Sequence, residues 1–249
     1  MENNKQRKFG LLGKDIDYSF SRNYFAEKFA RENHQNHQYD NYDCASVAEV
    51  LATIERNDLA GLNVTIPYKE NVIQAMDSLS PQAAKIGAVN TILFGEDGQR
   101  EGHNTDAYGF ERALFDQWNP NTQKALILGT GGASKAVKYV LEQHNIQPQY
   151  VSRTAGEHSI SYDQLNPSLL QTHLLIINCT PLGTFPKVEE APAIDYSQLT
   201  AEHFLFDLIY NPAETKFMQL GRKNGAKAAN GSQMLIHQAE RSWELWNGR

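Results

Sequence analysis

A short apolar run followed at once by a glycine-rich turn constrains the fold of this chain more than any other segment. Ala125 to Leu128 is wholly apolar, as expected of a strand buried on both faces. Gly129 to Ser134 follows directly, and Ser134 to Gln143 has the pattern of a helix. In a nucleotide-binding turn, one glycine permits the tight turn and a second lets the backbone approach the pyrophosphate at the helix N-terminus. Gly129 and Gly131 fit these positions, so the segment predicts a dinucleotide-binding turn.

The same region gives a cofactor preference. The third position of the G-x-G-x-x-G pattern is Ser134, so a tight turn without a ligand stays an alternative interpretation. The end of the next predicted strand reads Ser152-Arg153-Thr154, with no acidic residue before Glu157. NAD sites usually have an acidic residue there, whereas an arginine suits the 2′-phosphate of NADP. The sequence therefore predicts NADP(H), with NAD at lower preference because no second arginine follows.

Strands and helices alternate along the second half, which is typical of βαβ units and a parallel sheet. Its further predicted strands are Tyr150–Ser152, Leu174–Asn178 and Phe204–Leu208. The first half predicts strands at residues 9–13, 39–43 and 61–65 and a hairpin over 89–102. We expect Ser21 or Asn23 to cap the first helix. Residues 234–246 form an amphipathic stretch that we expect to pack back on the first half.

Composition argues against several classes of function. The chain has 249 residues, enough for two modest domains, and a net charge of −6 without a long basic run, which argues against a nucleic-acid partner. No apolar run approaches the ~20 residues of a membrane span, so we expect no membrane partner. Cys44 and Cys179 form no CxxC pattern, and His34 and His37 lack a third ligand. We therefore expect a reduced, cytoplasmic setting and no metal site.

A lysine and an aspartate in the first half could carry the proton of a redox reaction. Lys69 lies in the segment Asn63 to Glu70, and Asp106 ends the run Asn104-Thr105-Asp106. Hydride transfer to a ketone leaves an alkoxide, and a partly buried lysine near a carboxylate can protonate it. For an arbitrary pair, two surface charges would be the simpler interpretation. Here several polar residues also fall at predicted strand ends or turns, namely Asn63, Thr65, Asn90, Asn104 and Thr105. Lys69 and Asp106 are therefore the predicted catalytic residues of a dehydrogenase.

Taken together, these motifs resemble those of the shikimate dehydrogenases, within the shikimate/quinate dehydrogenase family. The matching segments occur in family order across nearly the whole chain: Ser19–Ser21, Asn63–Glu70, Gly87–Thr91, Gly102–Asp106, Gly129–Ala133, Asn178–Gly183, Asp207–Pro212 and Asn230–Gln238. The resemblance implies reversible NADP-dependent reduction of 3-dehydroshikimate to shikimate, a step of aromatic amino-acid and chorismate biosynthesis.

The resemblance also implies roles for individual residues. Ser19 and Ser21, with help from Tyr210, would hold the substrate carboxylate. The ring hydroxyls and the reacting oxygen would be surrounded by Thr65, Lys69, Asn90, Asp106 and Gln238. The cofactor would be bound by Gly129, Thr130, Gly131, Gly132, Ala133, Ser152, Arg153, Thr154, Cys179, Thr180, Leu208 and Gly231. Neutral hydroxyl and amide donors can bind both an anion and a polyol, so this residue set suits the substrate.

The predicted fold class is α/β, with an N-terminal mixed-sheet substrate domain, a Rossmann-like NADP-binding domain and a cleft between them. We place the substrate-binding and catalytic domain at residues 1–106, with the C-terminal helix 232–249 packing back on it. The dinucleotide-binding domain would then span residues 107–231. The expected partner is a small-molecule substrate, and the expected assembly is a monomer or a homodimer.

Three alternative functions remain open at this point. A quinate/shikimate dehydrogenase with relaxed use of NAD and NADP would fit the missing second arginine. A folate-type methylene dehydrogenase has a similar two-domain plan and its own lysine, but the paired serines Ser19 and Ser21 argue against it. A non-catalytic sensor of cofactor or shikimate would have no need of the proton carrier predicted at Lys69 and Asp106.

Overall fold

The structure, a computed structural model, describes residues 6–17, 19–56, 58–120 and 122–248. The chain divides into two units, the first formed by Met1–Thr105 with Ala239–Arg249 and the second by Asp106–Gln238. Each unit contains a six-stranded sheet. The chain passes from one unit to the other within two helices, α4 (Thr105–Phe115) and α8 (Ser232–Trp246).

The sheet of the first unit is mixed. Its strands are β1 (Arg7–Gly13), β2 (His37–Asp43), β3 (Leu59–Val64), β4 (Ser78–Leu79), β5 (Thr91–Phe94) and β6 (Arg100–His103). They lie in the order β2-β1-β3-β5-β6-β4. Strand β1 pairs in parallel with β2 and β3, whereas β5 pairs antiparallel with β3 and β6. The mixed sheet predicted for this half is therefore confirmed.

The further helices of the first unit are α1 (Phe20–Arg31), α2 (Val47–Ile54) and α3 (Pro81–Ile86), with a 3₁₀ turn at Asn71–Ala75. Of these, α1 packs on the sheet together with α8 through an aromatic cluster. Phe9 of β1 and Phe25 of α1 contact Trp246 of α8, with ring centroids 4.9 and 5.5 Å away. The Trp246 indole N–H donates to the Ile92 carbonyl at 3.1 Å. Burial of these large rings stabilises the attachment of the last helix to β1 and β5.

The predicted cap of α1 is wrong. The helix begins at Phe20 and has Ser19, rather than Ser21 or Asn23, at its N-cap position. The Ser21 side chain is instead buried and hydrogen-bonded to Tyr39 of β2. The Ser21 hydroxyl is therefore used in a tertiary contact rather than in a cap, which local capping preference could not reveal.

The sheet of the second unit is parallel throughout. Its strands are β7 (Lys124–Leu128), β8 (Gln147–Ser152), β9 (Ser159–Ser161), β10 (Leu175–Asn178), β11 (Phe204–Asp207) and β12 (Lys227–Ala229). Its remaining helices are α5 (Gly132–Gln143), α6 (Pro167–Thr172) and α7 (Lys216–Lys223), with 3₁₀ turns at Tyr162–Gln164 and Tyr196–Gln198. The strand order is β12-β11-β10-β7-β8-β9. Counted from β7, this is the doubly wound order 3-2-1-4-5-6 of Rossmann folds.

Strand β7 lies at the centre of that sheet. Ala125 to Leu128 have no exposed surface, and the strand pairs with β8 on one side and β10 on the other. The chain order reverses between β7 and β10, and ligands of such sheets bind outside the carboxyl ends of the strands at that point. Within the described ranges given above, none of the helices is both long and apolar enough to cross a membrane.

Candidate active site

Lys69 lies in a turn after β3 whose backbone is fixed on both sides. The Tyr68 N–H donates to the Thr65 carbonyl at 3.0 Å, and the buried Tyr68 hydroxyl donates to the Cys44 carbonyl at 2.6 Å. The Lys69 carbonyl accepts a hydrogen bond from the Val89 N–H at 2.8 Å. The Lys69 side chain is partly buried. The turn therefore holds the Lys69 backbone in one place, as a proton donor or acceptor requires.

Asn90 is bonded to the first residue of α4. Its Oδ1 accepts from the Thr105 N–H at 2.6 Å, and its Nδ2 donates to Thr105 Oγ1 at 3.0 Å. The Asn90 carbonyl accepts from the Val64 N–H at 2.8 Å, so this residue also borders the strand that leads to Lys69. Asp106 comes directly after Thr105, in the first turn of α4, and is 6% exposed. The helix dipole stabilises a carboxylate at that end.

Ser19 and Ser21 lie at the beginning of α1. The Ser19 hydroxyl oxygen is buried and makes no hydrogen bond to any residue that the structure describes. An unpartnered buried hydroxyl is costly unless a ligand or water meets it, so this atom suits the predicted substrate carboxylate. Ser21 bonds to Tyr39, whose hydroxyl donates to Asn63 Oδ1 at 2.8 Å. Burial raises the pKa of Tyr39, so its hydroxyl stays neutral.

The glycine turn between β7 and α5 has the geometry of a phosphate cradle. Gly129 has φ +100°, and a Cβ there would lie 3.0 Å from Thr180 Cγ2. Gly131 is at the N-cap of α5, where no side chain makes a capping bond, and a Cβ there would meet nothing within 4 Å. Thr130 is exposed, whereas Gly132 and Ala133 are partly buried. Open space before a helix N-terminus suits a pyrophosphate, so the turn fits a dinucleotide.

The turn after β8 presents the predicted phosphate-binding arginine. The Ser152 hydroxyl donates to the Thr154 carbonyl and lies 3.2 Å from the Ser159 hydroxyl. These bonds hold the turn, and Arg153 and Thr154 are exposed on it. An exposed guanidinium at this strand end can bind a 2′-phosphate with paired hydrogen bonds.

A buried amide–carboxylate pair organises the loops after β10 and β11. Asn178 Nδ2 donates to Asp207 Oδ1 at 3.0 Å, and neither residue is exposed. Asn178 Oδ1 accepts from the Thr180 N–H and hydroxyl at 3.0 and 2.6 Å. Asp207 also accepts from the Ile209 N–H at 3.1 Å and the Thr215 hydroxyl at 2.6 Å. Burial raises the pKa of Asp207 to about 6, against the opposing effect of these donors.

Three further residues predicted to bind the cofactor follow strand ends of the same sheet, namely Cys179 after β10, Leu208 after β11 and Gly231 after β12. The Cys179 N–H donates to the Leu128 carbonyl at 2.8 Å, which places it beside the glycine turn. Burial raises the pKa of the Cys179 thiol, so the thiol stays protonated. The Gly231 N–H donates to the Ile209 carbonyl at 3.1 Å, and a Cβ on Gly231 would overlap the Leu208 carbonyl. The structure therefore gathers these residues at the carboxyl edge of the parallel sheet.

Two residues predicted to bind the substrate, Tyr210 and Gln238, belong to the second unit. Tyr210 is partly buried in the loop after β11. Gln238 is 7% exposed on α8, where its Nε2 donates to the Leu235 carbonyl at 3.0 Å. A Cβ on Gly109 of α4 would lie 3.0 Å from the Gln238 Cβ, so glycine lets α8 approach α4 closely.

The paired histidines belong to an aromatic cluster. The His34 and His37 ring centroids are 4.7 Å apart, and each lies within 6 Å of the Trp243 ring. In the part of the chain that the structure describes, no group of three or more His, Cys, Asp or Glu side chains is gathered as metal ligands.

Comparison with known proteins identifies the family. Residues 11–92 match the family described as shikimate dehydrogenase substrate binding domain. The shikimate dehydrogenase (NADP(+)) of Desulforamulus reducens is 32% identical to this chain, covering 99% of the chain and 91% of the relative. The chain belongs to the shikimate dehydrogenase family. The resemblance drawn from the sequence motifs is thereby confirmed.

Solved structures of this dehydrogenase family share the fold. A shikimate dehydrogenase in complex with NADP+ is 30% identical, with a TM-score of 0.86 over 100% of this chain and 92% of that one. A quinate dehydrogenase from Corynebacterium glutamicum in complex with NAD is 26% identical, with a TM-score of 0.86 over 98% and 95%. The predicted α/β fold class with a Rossmann-like sheet is confirmed.

Sequence reasoning missed several buried polar residues beside Asn63 and Asn90. These are Tyr39, Thr91 and Ser242, each almost fully buried and hydrogen-bonded. One signal could have found Ser242, because it lies four residues after Gln238 on α8 and residues at that spacing share a helical face. A serine on the inward face of an amphipathic helix needs a polar partner.

Proposed function

We propose that this member of the shikimate dehydrogenase family catalyses the reversible NADP-dependent reduction of 3-dehydroshikimate to shikimate. The observation that carries the proposal is the fixed, partly buried Lys69 turn, joined through Val89 to the Asn90–Thr105 pair that precedes Asp106. The Desulforamulus relative is named as NADP(+)-dependent, and a similar solved structure holds NADP+. Both findings support this choice of substrate and cofactor.

Lys69 and Asp106 are the proposed catalytic residues. NADPH, when bound, supplies the hydride for the ketone carbon. The Lys69 ammonium gives a proton to the oxygen that becomes a hydroxyl, and the neutral amine takes it back in the reverse direction. Asp106, held at the start of α4, orients the substrate hydroxyl and the lysine. Positioning and one proton transfer are then what the protein itself contributes.

Neutral donors hold the substrate in this proposal. Ser19 and Ser21, with Tyr210, bind the carboxylate, and the orphan Ser19 hydroxyl is the strongest support for this role. The ring hydroxyls are bound by Thr65, Asn90 and Gln238. Asn90 and Gln238 are 2% and 7% exposed, so their amides are largely shielded from water and held in place.

The cofactor is proposed to lie along the carboxyl edge of the parallel sheet. The pyrophosphate lies over Gly129 to Ala133, and Arg153 with Ser152 and Thr154 holds the 2′-phosphate of NADP. The nicotinamide end is lined by Cys179, Thr180, Leu208 and Gly231. The open space at Gly131 and the exposed guanidinium of Arg153 support this placement.

We also propose that the chain forms a substrate domain and a cofactor domain. Residues 1–106 with helix 232–249 form the substrate-binding and catalytic domain, and residues 107–231 form the dinucleotide-binding domain. The protein is proposed to act in the cytoplasm on a small-molecule substrate, as a monomer or a homodimer.

A quinate dehydrogenase with relaxed cofactor use is the second candidate. The quinate dehydrogenase from Corynebacterium glutamicum, solved with NAD, has the same fold, and Arg153 is the one arginine in its turn. The two functions differ in the substrate hydroxyl set and in the cofactor phosphate. Rates measured with each substrate and each cofactor can therefore distinguish the two functions.

The experiment is a rate comparison on the purified protein. Shikimate and quinate are each supplied with NADP+ and with NAD+, and formation of the reduced nicotinamide is followed by its absorbance. We expect shikimate with NADP+ to give the highest kcat/KM of the four combinations. A higher kcat/KM for quinate with NAD+ would favour the second candidate, and no turnover in any combination would contradict both.

A further inference from the structure

Three hydroxyl groups from distant parts of the chain meet inside the first unit. They belong to Thr91 of β5, Thr105 at the start of α4 and Ser242 of α8. The oxygen–oxygen distances are 2.9 Å for Thr91–Ser242, 3.1 Å for Thr91–Thr105 and 3.1 Å for Thr105–Ser242. All three residues are at most 1% exposed. We call this group the hydroxyl triad.

Two asparagines are bonded to the hydroxyl triad. Asn63 Nδ2 donates to Ser242 Oγ at 2.9 Å and lies 3.2 Å from Thr91 Oγ1. Asn90 Nδ2 donates to Thr105 Oγ1 at 3.0 Å, and Asn90 Oδ1 lies 3.2 Å from Thr91 Oγ1. The triad therefore connects the end of β3, which leads into the lysine turn, with the residue that caps α4.

The hydrogen bonds of the two asparagines fix the orientation of their amides. Tyr39 donates its hydroxyl proton to Asn63 Oδ1, so Asn63 Nδ2 faces Ser242 and donates to it. The Thr105 N–H donates to Asn90 Oδ1, so Asn90 Nδ2 faces Thr105 Oγ1 and donates to it. The three hydroxyls lie between these amides and within hydrogen-bonding distance of one another. The Asn90 amide is therefore held within one connected set of hydrogen bonds.

We propose that Ser242 is a positioning residue for the dehydrogenase reaction. Through Thr91 and Thr105 it sets the orientation of the Asn90 amide and the start of α4, and so the place of Asp106. Packing alone does not require this hydroxyl, because an alanine would fill nearly the same volume on a face that also presents Ala239 and Trp246 to the core. The inference rests on the proposed function, since it concerns how the substrate is held.

The test compares Ser242→Ala with Ile54→Val, a core variant that also removes one small buried group. Ile54 is 1% exposed on α2 and belongs to a different hydrophobic cluster of the same unit. Thermal midpoints, kcat, and the separate KM values for shikimate and NADP+ are measured for the wild type and both variants. We expect Ser242→Ala to raise the shikimate KM about fivefold or more, with the NADP+ KM within about twofold of wild type. Ile54→Val should change neither KM.

A second variant keeps the test decisive if Ser242→Ala does not fold. Thr91→Val removes another hydroxyl of the triad with almost no change of shape, and it should raise the shikimate KM selectively in the same way. If a folded triad variant lowers the thermal midpoint but matches Ile54→Val in both KM values and kcat, the triad is merely structural and the inference is wrong. A wild-type protein that does not turn over shikimate would overturn both this inference and the proposed function.

Discussion

The backbone N–H of Thr105 donates a hydrogen bond of 2.6 Å to Asn90 Oδ1, so Asn90 acts as a remote cap for the helix that carries Asp106. A free N–H at a helix start is normally satisfied by a residue next to it in sequence. Here the acceptor comes from the residue before β5, fifteen positions earlier. One bond thus holds both the amide that we propose to bind the substrate and the start of the helix that carries Asp106.

Replacing Asn90 should reduce both stability and catalysis. Asn90→Ala removes the cap and leaves the buried Thr105 N–H unsatisfied, which should lower the free energy of unfolding by about 2 kcal/mol. It should also lower kcat/KM for shikimate by about tenfold or more. Ser46→Ala is the control, because Ser46 caps α2 through the Glu49 N–H at 3.3 Å. That variant should lose stability alone, and a similar loss of kcat/KM there would contradict the specific role of Asn90.

The two glycines of the β7–α5 turn should respond differently to alanine. Gly131 has φ −76° and open space before it, so Gly131→Ala should fold normally while its methyl obstructs the pyrophosphate. We expect its NADP+ KM to rise about tenfold, with an unchanged thermal midpoint. Gly129→Ala should lose about 1–2 kcal/mol of stability, because φ is +100° and Thr180 is close. An unchanged NADP+ KM in Gly131→Ala would show that the pyrophosphate binds elsewhere.

Arg153 should control the choice between NADP and NAD. A charge-assisted contact with the 2′-phosphate contributes about 1.5–3 kcal/mol, so Arg153→Gln should lower kcat/KM for NADP+ about ten- to a hundredfold. The value for NAD+ should stay within about twofold, because NAD lacks that phosphate. Arg222→Gln is the control, since Arg222 is an exposed arginine of the same unit that pairs with Glu214. Equal losses with both cofactors would refute this role of Arg153.

Ionisation of Asp207 should lower the free energy of unfolding as the pH rises from about 4 to about 6. Burial raises the pKa of this carboxyl to about 6 in the folded protein, against 3.8 as the ordinary value. The folded state therefore binds more protons in that window, and the free energy of unfolding falls with pH by about 3 kcal/mol in total. The side chain of Asp207→Asn cannot ionise. The thermal midpoint of this variant should therefore rise relative to that of the wild type as the pH increases from about 4 to about 7. A midpoint difference that is independent of pH would contradict the raised pKa.

Much of the second unit could be predicted from its sequence because its signals are local. The buried run Ala125–Leu128, the adjacent glycines and the alternation of strands with helices all act over a few residues, and they gave the parallel sheet. Family motifs likewise located Lys69, Asp106 and the glycine turn. Those site roles stay predictions until the variants are measured.

The hydroxyl triad could not be predicted because its contacts are not local. Ser242 is 151 positions from Thr91 and 179 from Asn63, and their contact appears only once α8 is packed on β1 and β5. The same reason explains the wrong cap at α1, where a contact with Tyr39 of β2 determines the position of Ser21. Short-range preferences describe capping and turns, whereas these bonds depend on the finished packing.

The most direct measurement is the rate of shikimate-dependent NADPH formation by Lys69→Ala beside Lys85→Ala. Lys85 is an exposed lysine of α3 in the same unit, so its removal controls for loss of a positive charge. We predict that Lys69→Ala lowers kcat at least about a hundredfold while its Kd for NADPH stays within about twofold, because proton transfer is lost and the cofactor site is untouched. Lys85→Ala should retain the wild-type rate. A Lys69→Ala variant that turns over shikimate as fast as Lys85→Ala would contradict the proposed mechanism.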